Sequence, residues 1–62
     1  MIVKINIYEN KKLLRSVFSD NKPNLTDIIV INSKKYVVKR IVHNFDKNSI
    51  DIVVHLTTYE YN

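Results

Sequence analysis

Ile28-Ile29-Val30-Ile31, then Asn32-Ser33, then Tyr36-Val37-Val38, Ile41-Val42-His43, Asp46-Lys47-Asn48 and Ile50-Asp51-Ile52-Val53-Val54 follow one another between Ile28 and Leu56, and this stretch decides the fold. β-Branched residues crowd it. They lose little freedom on a pleated surface and more in a helix, so the stretch reads as strands separated by turns. Asn32-Ser33 has the length of a two-residue hairpin loop, which opposes Ile31 to Lys34 and Ile29 to Tyr36. Asp46-Lys47-Asn48 reads as a three-residue loop with Asn48 in the left-handed region. That loop opposes Val38 to Leu56, Val42 to Ile52 and Arg40 to Val54. On the other face it sets His43 against Asp51, Ile41 against Val53 and Lys39 against His55. The strand Ile28–Ile31 is apolar on both sides, so cover is expected on both. The long strand from Lys35 to Asn44 is expected to bend midway.

Upstream, Met1 to Tyr8 alternate, with Val3, Ile5 and Ile7 on one face, the period of a half-buried strand. Asn10-Lys11 forms the next two-residue loop, placing Glu9 against Lys12 and setting Ile7, Ile5 and Val3 against Leu14, Ser16 and Phe18. Ser19 to Asp27 is a loop. Pro23 fixes one φ there, Leu25 is expected to plug an end of the core, and Asp27 to bond nearby amides as an Asx turn. The tail from Thr57 to Asn62 keeps strand-forming residues and is expected to add a short edge strand. The registers direct Val3, Ile5, Ile7, Leu14, Phe18, Ile29, Ile31, Tyr36, Val38, Val42, Ile52, Val54 and Leu56 to one core.

The chain has 62 residues and reads as a single domain over 1–62. A chain so short buries only about 60% of its unfolded surface. Cysteine is absent, which excludes disulfides and thiolate metal sites and leaves a partner subunit as the remaining aid, hence an expected homodimer. Glycine is also absent. Phosphate-cradling glycine loops are therefore absent, nucleoside-triphosphate and dinucleotide sites are not expected, and in the tight hairpins Asn10, Asn32 and Asn48 must supply the positive φ that glycine usually gives. The apolar runs are shorter than the ~20 residues of a membrane helix. Met1 leads directly into the alternating pattern rather than an apolar run after basic residues, so a cytoplasmic protein is expected.

Net charge is +4, and every lysine and arginine precedes Asn48. Lys34, Lys35, Lys39 and Arg40 gather in one short segment, the candidate contact for nucleic acid. His43 facing Asp51, with His55 on the same face, has the residue types of a general base or a metal ligand set. No nucleophile is placed with them, and two histidines with one carboxylate make a thin ligand set. No enzyme, metal or cofactor is expected. Val37, Ile41 and Val53 lie on the face opposite the core set, flanked by Lys39, His43, Asp51 and His55. That is the arrangement of an apolar interface centre with a polar rim.

The string Lys-Pro-Asn-Leu-Thr-Asp-Ile-Ile-Val-Ile-Asn-Ser-Lys-Lys-Tyr-Val-Val, within Pro23 to Phe45 save its first residue, resembles a pattern in small phage- and mobile-element-encoded SH3-like barrel proteins. There an apolar-Gly-Asp turn leads to a strand, an Asn-Gly hairpin and a Tyr-x-Val strand; Thr26 and Ser33 stand where that pattern has glycine. The resemblance implies an SH3-like barrel and a protein that binds and blocks a host factor, antiviral defence components included. The expectation is thus an all-β fold of five or six antiparallel strands, an SH3-like barrel or small sandwich. Its expected role is non-enzymatic binding of a host protein, with a small basic nucleic-acid-binding barrel as the alternative.

Overall fold

Asn10 and Lys11 have φ of 50° and 71°, and Asn32 and Ser33 have 51° and 66°. Positive φ at both central residues defines the type I′ turn, whose twist matches the strands that it joins. These two loops fall where the sequence places them. In the computed structural model, which describes residues 2–57, the chain is all-β. The strands are β1 (Val3–Glu9), β2 (Lys12–Ser19), β3 (Ile28–Ile31), β4 (Lys34–Asn44) and β5 (Ser49–Leu56). They form one curled, half-barrel sheet in the order β2-β1-β5-β4-β3. The expectation of a wholly antiparallel sheet is corrected here, because β1 lies parallel to β5, with Ile5 beside Ile50 and Ile7 beside Ile52. Of the expected tail strand, residues 58–62 lie outside the described residues.

The concave face holds the core: Ile5, Ile7, Ile31, Tyr36, Val38, Ile50, Ile52 and Val54 are buried, with Val3, Leu14, Val17, Ile29 and Ile41 packed against them. Each fully buried aliphatic side chain among them contributes about 1.5–3 kcal/mol on leaving water. Isoleucine on both sides of the β1–β5 seam explains why the parallel pairing forms: neither strand otherwise covers the middle of the other's apolar face.

Two irregularities overturn expected registers. The first hairpin begins as expected with Glu9 against Lys12, but after Tyr8–Leu13 the pairing shifts, so that Ile7 meets Arg15, Ile5 meets Val17 and Val3 meets Ser19. A one-residue bulge at Leu14 reverses the alternation beyond it. Leu14 and Val17 both pack on the core this way, and Ser16 is released to the polar face. Phe18, expected in the core, is instead 73% exposed.

The second lies between β4 and β5. The loop is Phe45 to Asn48, four residues rather than three, with Asn44 paired to Ser49 and Asn48 at φ 51°. The Asn44 side-chain oxygen accepts the Lys47 amide at 3.1 Å, which fixes the turn. Ile41 therefore meets Ile52, Val42 meets Asp51, His43 meets Ile50 and Arg40 meets Val53. A further shift at Lys39 sets Val38 against Val54, Val37 against His55 and Tyr36 against Leu56. Ile41 and Ile50 both reach the core in this register. Val42 and Leu56, expected inside, are exposed instead.

The loop after β2 ends in a turn from Asn24 to Asp27, closed by the Asp27 amide on the Asn24 carbonyl at 3.1 Å, with Thr26 at φ 69°. The Asp27 carboxylate accepts the Asn24 amide at 2.8 Å, so it does bond a nearby amide, but three residues back and not two residues on as in the expected Asx turn. Leu25 does not plug the core; it is exposed. β3 is covered on one face alone, since Ile28 and Val30 are exposed while Ile31 is buried.

Candidate functional site

The convex face of the sheet is overlain by no other strand among the described residues, and the pairings fix what it presents. Leu13 of β2 stands beside Tyr8 of β1, Tyr8 beside Val53 of β5, and Val53 beside Arg40 of β4. One row along, His55 stands beside Val37, and Val37 beside Ile28 of β3. Leu13, Tyr8, Val53, Val37 and Ile28 thus form an oblique apolar band that touches all five strands. Leu13 and Ile28 are exposed at its two ends, and the three residues between are half-buried.

A polar ladder borders the band. The Ser16 hydroxyl donates to the Asn6 side-chain oxygen at 2.7 Å, and the Asn6 amide donates to Asp51 at 2.9 Å. The β1–β5 register places Asn6 directly beside Asp51, so the ladder is a product of the parallel pairing. Arg40 of β4 lies on the same side as the ladder, one step from the Asp51–Val42 row, while His55 and Lys35 lie on the other flank.

Of the seven residues that the sequence nominates for an interface, Val37, Asp51, Val53 and His55 share this convex face. Ile41 and His43 do not: the four-residue loop turns both to the concave side, where Ile41 joins the core. His43 consequently does not face Asp51. Its ring lies 6.3 Å from that of Phe45 at 41°, and Phe45 is 90% exposed. Lys39, expected against His55, occupies the shift in β4. Leu13, Tyr8 and Ile28 belong to the band without having been nominated. Tyr8 shares its alternation with Lys4 and Asn6, the one signal that pointed outward.

The Lys34–Arg40 group is divided. Lys35 and Arg40 share the convex face, Lys34 follows the alternation of Tyr36 onto the other face, and Lys39 sits in the shift. The topology nevertheless gathers cations at one end. β1 ends where β4 begins, so both type I′ turns share that end, and the Arg15 guanidinium donates to the Asn32 side chain at 3.2 Å. Lys11, Lys12, Arg15, Lys34 and Lys35 are all exposed there. Among the described residues, no three His, Asp or Glu side chains converge as a metal site requires.

No protein-family model, curated protein or solved structure matches the chain.

Proposed function

We propose that this chain is a small non-enzymatic binding protein that acts by protein–protein contact through the convex apolar band. Its partner is a host factor, antiviral defence components included, and its source a phage or mobile element. The observation that carries this reading is the band itself, an apolar strip across five strands with the polar ladder and Arg40 on one side and Lys35 and His55 on the other. Apolar centres with polar rims are how protein interfaces exclude water while keeping their surroundings soluble. We also read the curled sheet as SH3-like and the protein as cytoplasmic. Positive φ at Thr26 and Ser33, the two positions where the resembled pattern has glycine, supports the SH3-like reading.

Immobilised protein incubated with bacterial lysate, with and without nuclease, tests the proposal. Capture that survives nuclease and is lost on Val37→Glu, with the melting curve retained, is the expected result. Capture that disappears with nuclease favours a second reading, polyanion binding at the cationic end. For that reading a labelled duplex should bind at about 50 mM salt with an affinity that falls steeply as salt rises. Joint Lys11→Glu and Lys34→Glu replacement should abolish that binding.

A further inference from the structure

β4 has eleven residues and β3 only four. β3 pairs with Lys34 to Val37, and main-chain bonds from Thr26 and Asp27 to Val38 extend that cover by one residue. From Arg40 to Asn44, no strand among the described residues lies on that side of β4. A row of uncovered main-chain donors and acceptors is a template for another strand. The opposite edge of the sheet is β2, which is blunted by its bulge, by Lys12 and Arg15, and by the Arg15–Asn32 bond across to the β3–β4 turn. The β4 segment has fewer such devices.

We propose that Arg40–Asn44 pairs antiparallel with the same segment of a second copy, about a twofold axis at Val42, joining two sheets into one. The register follows from the residues. With the axis at Val42, Val42 meets its own copy, Ile41 meets His43, and Arg40 meets Asn44. No like charges oppose each other, and the exposed Val42 side chain is covered from both copies at the centre. Moving the axis to His43 sets two imidazoles face to face; moving it to Ile41 sets Lys39 against His43. A second copy is also the occupant that a short chain without disulfides most needs, because pairing adds buried area without enlarging its own core. This inference does not depend on the convex band.

Sedimentation equilibrium at roughly 1 to 300 µM, the range in which a modest interface populates, tests it. A reversible dimer is expected. Val42→Lys places an ammonium beside Asp51 within each chain, which favours the folded monomer, and opposes two ammoniums across the axis. It should weaken the dimer at least tenfold while circular dichroism shows an intact sheet. Asn44→Asp keeps an oxygen for the Lys47 amide and faces Arg40 of the second copy twice, so it should tighten the dimer severalfold at low salt and lose that gain at about 1 M salt. A parent protein that stays monomeric throughout, or a dimer that ignores Asn44→Asp, overturns the proposal.

Discussion

Thr26 sits at φ 69°, a region where a β-branched side chain crowds its own backbone. Such a residue stores about 1–3 kcal/mol, and it persists because the Asn24–Asp27 turn and the bonds to Val38 hold it from both sides. Thr26→Gly should relieve that strain. After the entropy that glycine adds to the unfolded chain, a net gain of about 1 kcal/mol remains. The melting midpoint should rise by about 4–8 °C in a scanning calorimeter. A midpoint that stays put or falls would mean that the turn relaxes out of the left-handed region. Thr26 and Ser33 stand where the resembled pattern has glycine, and both have positive φ. The Ser16–Asn6–Asp51 ladder was not legible in the sequence, because Asn6 and Asp51 are separated by 45 residues and meet only through the parallel pairing. Asn6→Ala should cost about 1 kcal/mol by leaving two hydrogen-bonding groups without their protein partner.

In two of the three hairpins the turn was readable; the Phe45–Asn48 loop is one residue longer than its sequence reads, and strand irregularity was not readable. Asn10-Lys11 and Asn32-Ser33 specify their loops locally, and the β3–β4 register follows from its turn alone. The Leu14 bulge and the shift at Lys39 answer instead to the core, which recruits Leu14 with Val17, and Ile41 with Ile50, at the expense of regular alternation. One reversal of parity in each hairpin therefore exchanged Phe18 for Val17 in β2, and Val42 for Ile41 in β4. Urea denaturation distinguishes the two arrangements. Phe18→Ser should change stability by no more than about 0.5 kcal/mol, as for an exposed side chain. Ile50→Ala should cost about 2–4 kcal/mol through the cavity it leaves. Equal costs for both would show that β2 runs without its bulge.

For the molecule as a whole, one concave core must suffice, and its stability belongs near the low end of the ~5–15 kcal/mol range of folded domains. Ile52, with no exposed surface, is at its centre. Ile52→Ala should remove about 2–5 kcal/mol and leave little folded protein at 37 °C by circular dichroism. A cooperative transition at the parent temperature would place the core elsewhere. The candidate interface was half legible: Val37 and Val53 follow from alternation, while Tyr8 and Leu13 become their neighbours only once β1 joins β5. That seam has a consequence for how the protein is made. The β1–β2 hairpin and the β3–β4–β5 meander contain only contacts between near neighbours in sequence, which form quickly. On the ribosome, however, Ile5 and Ile7 emerge long before Ile50 and Ile52 exist to cover them. The nascent chain must therefore carry its first strand open-edged until β5 is made, and its centre closes only with that distant partner.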